Sequence, residues 1–185
     1  MNPTGQLKKE HEAISVVLDV LAAISNDIEA GTDVPVEHIG QVLEFLKVFA
    51  DGCHHRKEEQ HLFPALEAAG IPREHGPVGV MLAEHDLGRT FVRRMSEAFE
   101  ELKNRRPNAG ARFVYNARGY ANLLRLHIRK ENEVLFPMAD RVLSTDTQNR
   151  LVQDFDRLEE EEIGHGVHEA FHTMLKQLND VYCKV

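Results

Sequence analysis

A chain of 185 residues with 42% hydrophobic and 28% charged side chains has the size of one domain with a sizeable core and the composition of an ordinary globular protein. Its formal net charge of −8 disfavours nucleic acid or an anionic membrane as the main partner, and no apolar run approaches the roughly 18 residues of a membrane span. Only Cys53 and Cys183 are cysteines, and the N-terminal MNPTGQLKKEHEA carries no apolar signal-peptide stretch; the expected compartment is a reducing cytoplasm, and a disulfide scaffold is excluded.

Leu7, His11, Ile14, Leu18 and Leu21 recur at three- and four-residue steps and predict a first helix with one buried face. Gly31 to Pro35 breaks it, with Asp33 the expected cap of the next helix and Pro35 near its first turn. The second helix carries Ile39, Leu43, Leu46, Ala50, His54, Glu58 and Leu62 on one stripe. AAGIPREHGP (68–77) is the strongest breaker in the chain. A third helix aligns Val78, Met81, His85, Gly88, Val92, Met95, Phe99 and Leu102; NRRPNAG (104–110) turns the chain into a fourth, with Tyr120, Leu123, His127, Glu131, Leu135 and Met138 aligned. STDTQ (144–148) reads as the start of a fifth helix bearing Phe155, Leu158, Ile163, Val167, Phe171, Leu175 and Leu178. Strand signals are nearly absent. The expectation is all-α: an up-down-up-down four-helix bundle over about residues 5–143, with an additional C-terminal helix over about 146–182 across one end or side, the whole of 1–185 forming one domain.

Within that pattern a charged stretch is duplicated. HHRKEEQHLFP (54–64) returns as HIRKENEVLFP (127–137), seven of eleven positions identical at an offset of 73, and Glu10-His11 returns as Glu84-His85 at 74. The repeated unit is therefore a helix pair. Each bundle helix puts a histidine (His11, His54, His85, His127) where a core wants Leu, and in the second and fourth a glutamate (Glu58, Glu131) follows one turn later. Left unpaired these groups would be costly, and two buried carboxylates would repel each other. A divalent metal pair resolves both conflicts, because neutral imidazoles and carboxylates are its ligands. A lone histidine on an apolar stripe is more often bonded to a core neighbour, but four at matching depth would need the same accident twice in each half. Pro64 and Pro137 are expected to kink their helices beyond the ligands.

The order His11, His54-x-x-x-Glu58, His85, His127-x-x-x-Glu131, with LFP after each paired motif, resembles the hemerythrin-like (HHE cation-binding) domain over about residues 5–140. The resemblance implies a four-helix bundle around a non-haem di-iron centre: two iron ions with an oxo or hydroxo bridge, ligated by the four histidines and bridged by both glutamates. Alignment on LFP selects His54 over His55 and Glu58 over Glu59, whose repeat mates Ile128 and Asn132 preserve no ligand role. Oxygen-carrying members have His-x-x-x-His on the third helix, where this chain has His85 and then Arg89, and a final acid one residue later than Glu131. With one histidine fewer, about two of roughly twelve coordination positions stay open, which favours exchange or chemistry over simple oxygen storage.

His168-x-x-x-His172, in a GxHExxH-like stretch similar to one in some bacterial members, is a candidate additional ligand or outer support, against the plainer reading of a polar helix edge. His61, one turn past Glu58 but mated to Val134, is a candidate for a similar outer role. Gly88 stands where the first half has Ile14, and is either a void for a diatomic ligand or a close helix approach. Cys53 reads as a buried cysteine, and Tyr115 and Tyr120 as packing. A ferritin-like site is rejected because Glu58-x-x-His61 has the mate Glu131-x-x-Val134, and bridging carboxylates suit a higher-coordinate pair better than tetrahedral zinc.

The leading expectation is a di-iron protein handling a small oxidant or diatomic ligand: oxygen, peroxide or nitric oxide. The alternative is an iron or oxygen sensor or iron-homeostasis module without turnover, working through a protein partner. A third reading is a helical interaction domain with a structural polar core. A homo-oligomer stays open under all three.

Overall fold

The computed structural model describes residues 1–162, 164 and 166–183. Helix α1 (Pro3–Ala30) begins where Asn2 accepts the Gly5 N–H at 3.1 Å and Pro3 takes the first turn. It ends at Gly31, whose φ of 77° is the left-handed cap that suits glycine. The next helix is preceded by Pro35, with no side-chain cap; Asp33 does not cap it, because the proline itself already holds the backbone at the entry.

Helix α2 runs continuously over 36–68: α-helical in Val36–Phe45, wound as π-helix in Leu46–His55 and Glu58–Leu62, and α-helical again in Phe63–Ala68. Helix α3 is Pro77–Lys103. Helix α4 covers 109–142, with a π-turn at Glu131–Leu135 between Ala109–Lys130 and Phe136–Val142. In place of simple proline kinks, the helices widen just before each LFP. The N–H of Phe63 reaches the carbonyl of Glu58, and that of Phe136 the carbonyl of Glu131, five residues back. Pro64 and Pro137 then fall in the first turn of a fresh α segment, where a missing N–H costs nothing.

Contacts along the helices fix an antiparallel square. From one end of α1 to the other, Thr4 meets Asp140 (2.7 Å), His11 meets Asn132 (2.9 Å), Asp19 meets Arg125 (2.6 Å) and Glu29 meets Arg118 (2.7 Å), so α1 and α4 run oppositely. Asp51 meets Arg89 (2.9 Å) and Glu59 meets His85 (2.7 Å), which sets α2 against α3 in the same way. Between α3 and α4, Phe91 lies over Gly119, where a Cβ would come within 2.6 Å of the ring; glycine lets these helices approach. The bundle is the up-down-up-down arrangement the sequence predicts.

Two apolar clusters fill it. One holds Val17, Leu21, Phe45, Phe49, Met95, Phe113, Tyr120 and Leu124; the other holds Leu7, Leu62, Phe63, Val78, Leu135, Phe136 and Phe155. On α4 the more buried position is Leu124, with Leu123 half-buried. Between the clusters lies a layer of buried polar residues, His11, His54, Glu58, His85, His127 and Glu131.

The C-terminal region differs from the single helix expected. It forms α5 (Thr145–Glu162) and α6 (Val167–Tyr182), with Ser144 accepting the Thr147 N–H at 3.2 Å at the start of α5. Gly164 (φ 79°) and Gly166 (φ 84°) take left-handed backbone that ends a helix, which overrides the continuous apolar stripe. Ile163 lies outside the described residues, and Val167 is exposed at the start of α6. Both helices pack along the α1 and α2 side of the bundle: Phe171 meets Phe45 edge-on at 5.4 Å, and His38 bonds the Tyr182 hydroxyl at 2.8 Å. Among the described residues no helix is long and apolar enough to cross a membrane.

Candidate metal centre

The six side chains singled out by the repeat converge in the polar layer. His11 Nε2 lies 3.0 Å from His54 Nε2, and His85 Nε2 lies 3.0 Å from His127 Nε2. Glu131 stands between the pairs, with Oε2 3.1 Å from His11 Nε2 and Oε1 3.2 Å from His127 Nε2. Glu58 does the same less tightly, 3.7 Å from His54 Nε2 and 3.4 Å from His85 Nε2. Two four-residue groups with ligand atoms within 4.8 Å result, His11/His54/Glu58/Glu131 and His85/His127/Glu58/Glu131, and they share both carboxylates.

Bonds on the far side of each ring fix what the near side presents. Nδ1 of His54 meets Glu10 Oε2 (2.7 Å), that of His85 meets Glu59 Oε1 (2.7 Å), that of His127 meets Glu84 Oε2 (2.9 Å), and that of His11 meets Asn132 Oδ1 (2.9 Å). All four partners are acceptors, so Nδ1 donates in each case and a neutral ring turns its Nε2 lone pair inward. Lone pairs then face lone pairs at 3.0 Å, beside two carboxylates whose four oxygens are buried without a hydrogen-bond partner. Each orphaned acceptor costs about 1–3 kcal/mol, more when charged. A cation in each pocket satisfies all of them, and the carboxylate-to-histidine bonds are the support that metal-ligating imidazoles carry.

The remaining repeated residues serve this outer layer. Lys57 Nζ, fully buried, donates to Glu10 Oε1 (2.6 Å) and Glu159 Oε2 (2.8 Å); its repeat mate Lys130 bonds Glu84. Each Glu-His pair thus gives one inward imidazole and one brace, and each lysine anchors the brace. Glu10, Glu84, Lys57 and Lys130 were not among the sequence-derived site residues, although the duplication of Glu-His and Arg-Lys-Glu carried their signal. Glu59 and Asn132, which the repeat does not mark as ligands, instead orient His85 and His11.

Charge follows the same plan. Burial pushes the His54 imidazole down to about 4, against the pull of Glu10, and burial with neighbouring His55 pushes His85 down to about 3. Burial would raise Glu10, but His54 and Lys57 outweigh it and hold its carboxyl at about 2. Burial and the Glu131 charge push Glu58 well above the carboxylate range. Burial acts the same way on Glu131, yet His127 and His11 hold it well below. His127 is lowered by burial and raised more by Glu131 and Glu84.

The other candidates fall outside the converging set. His61 faces Asp154 at 3.9 Å beside Phe155. His168 is half-buried, 3.9 Å from Glu159 and 5.6 Å from the Phe49 ring, and His172 is exposed beside it. Its path inward is the chain Glu159–Lys57–Glu10–His54. Gly88 lines a cavity of about 350 Å³ with Asp51, His55, Arg89 and Tyr120, and a Cβ there would touch Tyr120 at 3.6 Å. Arg89, in the place of a second α3 histidine, bonds Asp51, Asp86 and Glu59. Tyr120 is buried and Tyr115 is exposed. Cys53 is buried, which pushes its thiol up to about 12.

An antiparallel four-helix bundle that turns four imidazoles and two shared acids onto one interior point belongs among helical metal-binding proteins. Residues 2–139 match the hemerythrin HHE cation binding domain, and the chain belongs to that family. It is 21% identical over 175 residues to an uncharacterised Mycobacterium tuberculosis protein and to one from Mycobacterium bovis, covering 95% of this chain and 67% of each relative. It is 34% identical over 106 residues to a probable iron-sulfur cluster repair protein of Haemophilus influenzae, covering 54% of this chain and 46% of that protein. No solved structure matches the chain at a significant level.

Proposed function

We propose that this chain is a non-haem di-iron protein of the cytoplasm that handles a small oxidant or diatomic ligand: oxygen, peroxide or nitric oxide. His11 and His54 would hold one iron, His85 and His127 the other, with Glu58 and Glu131 spanning both and an oxo or hydroxo bridge between the ions. The observation that carries this reading is the set of four inward Nε2 lone pairs around four partnerless carboxylate oxygens. Imidazoles and carboxylates suit iron, and shared carboxylates suit a pair of ions. When bound, such a centre supplies electrons to, and accepts them from, a small molecule.

The chain's own residues set the conditions for that chemistry. Glu10, Glu59 and Glu84 hold their imidazoles in one tautomer and orientation. Lys57 helps keep Glu10 ionised in the interior, and Lys130 bonds Glu84 in the matching place. Phe63 and Phe136, both fully buried, close the layer on one side, with Phe136 stacked 5.4 Å from His11. On the other side the cavity beside Gly88 and Tyr120 is large enough for small ligands. Two unpaired cysteines fit a reducing compartment.

A second reading, in which iron itself is sensed or passed on without turnover, is favoured by the relative named a probable iron-sulfur cluster repair protein. Anaerobic iron(II) titration followed by exposure to oxygen, peroxide and nitric oxide separates the two. Two irons per chain and an optical change with one of the three support the proposal. Two irons with no response to any of them, but ready release to a chelator, support the second reading. Absence of iron uptake overturns both.

A further inference from the structure

His55 has no counterpart in the second half of the chain, where the mate is Ile128. In the fold it is 3% exposed and sits against the second histidine pair, stacked on His85 at 3.9 Å and edge-on to His127 at 5.9 Å. Its Nδ1 faces Asp51 Oδ1 at 3.3 Å, and its Nε2 is buried without any partner. Like the four histidines described above, His55 has an oxygen acceptor behind one ring nitrogen and leaves the other buried and free. The ligand atoms of His55, His85 and His127 lie within 4.8 Å of one another.

Ile128 makes the comparison informative. It is itself buried at the equivalent position, so the fold accepts a branched aliphatic side chain there. An imidazole with one orphaned nitrogen is costlier than an aliphatic group unless something binds that nitrogen. Arg89 supplies the remaining piece: its Nε donates to Asp51 Oδ1 at 2.9 Å, holding the acceptor behind His55 in place, and it also bonds Glu59 behind His85. The residue that replaces a histidine on α3 therefore braces two imidazoles contributed from α2 and α3.

We propose that His55 Nε2 is a third imidazole ligand for the cation held by His85 and His127, so that the two metal positions are chemically unequal, with three ring nitrogens at one and two at the other. This rests on the metal-centre reading above and adds a residue to it. Metal-ligating imidazoles need their outer nitrogen held, and the Asp51–Arg89 pair does that for His55 on the surface side of the layer.

The test is His55→Ile, copying the other half of the chain, loaded anaerobically with iron(II) alone. Far-UV circular dichroism and the melting of metal-free protein check folding. Competition against a chelator should show one iron unchanged and the other weakened by at least the roughly 10–100-fold that a lost supporting contact costs. Mössbauer spectra of wild type should show two unequal sites, with one of them shifted in the variant and the other kept. Two irons of unchanged affinity with an unchanged spectrum overturn the proposal while leaving the metal centre standing. Failure of wild type to bind two irons sinks the centre itself. If His55→Ile does not fold, His55→Gln takes its place in both measurements, with the same results supporting or overturning the proposal.

Discussion

Glu58→Met should make the metal-free protein more stable and at the same time remove its response to metal. Both carboxylate oxygens of Glu58 are buried without a hydrogen-bond partner, and Glu131 repels them from the facing helix. Methionine has similar length and needs no partner, so the gain is the lost penalty, about 1–3 kcal/mol. For a chain of this size each kcal/mol is about 2–4 °C in Tm. The sign with pH follows from the direction of the shift. Burial and Glu131 raise the Glu58 carboxyl, so its protonated form is compatible with the fold; stability is intact below the ordinary value of 4.5 and is lost as pH climbs through the raised one. The advantage of the variant should therefore be small near pH 4 and larger near pH 8. Iron(II) at about 100 times its Kd should add about 2.7 kcal/mol to wild type and far less to the variant, so the variant's advantage shrinks or reverses on metal addition. Thermal melts with chelator and with iron(II), at both pH values, measure all of this. A variant that melts below wild type in chelator, or gains as much from iron, refutes the reasoning.

Other perturbations reach the outer layer and the core. Lys57→Met strips Glu10 and Glu159 of their shared cation and should cost about 3–5 kcal/mol, the range for breaking a buried pair; urea unfolding of metal-free protein near pH 7 measures it, and a loss under about 1 kcal/mol would contradict the assignment. Glu10, held at about 2 against an ordinary 4.5, contributes stability above 4.5 that is lost as pH falls toward 2, a difference of about 3 kcal/mol; Glu10→Gln should flatten that acid limb of the stability curve. Glu84→Ala frees the His127 ring and should weaken iron binding about 10–100-fold in chelator competition with helix content unchanged. A thiol reagent near pH 8 should modify half-buried Cys183 and spare buried Cys53 in native protein; equal labelling of both would show that the interior around Cys53 opens readily.

Apolar periodicity was enough to place the four bundle helices, because each buries one stripe against the others, and the duplicated histidines and acids could be picked out because they interrupt that stripe at matching depth. The π-turns before Phe63 and Phe136 were invisible, since counting three- and four-residue steps assumes one helical pitch throughout. The division between α5 and α6 was missed because apolar residues recur on both sides of Gly164 and Gly166, and their spacing masks the backbone break. His55 is set aside when the halves are treated as equivalent, because its repeat mate is Ile128. That symmetry holds for the inner six and fails around them, where Asn132 stands opposite Glu59, Ile128 opposite His55, and of the two lysines Lys57 alone reaches an extra helix, through Glu159.

The shared acids have a consequence for the two halves of the chain. Each helix pair supplies both histidines of one four-residue group but only one of its two acids, so neither hairpin owns a complete pocket. Ions seated there would act as rivets through both halves, and a homodimer of a single hairpin would assemble the same cage around a twofold axis. With both hairpins in one polypeptide, the two halves are free to differ, so one face of the cage can carry equipment the other lacks.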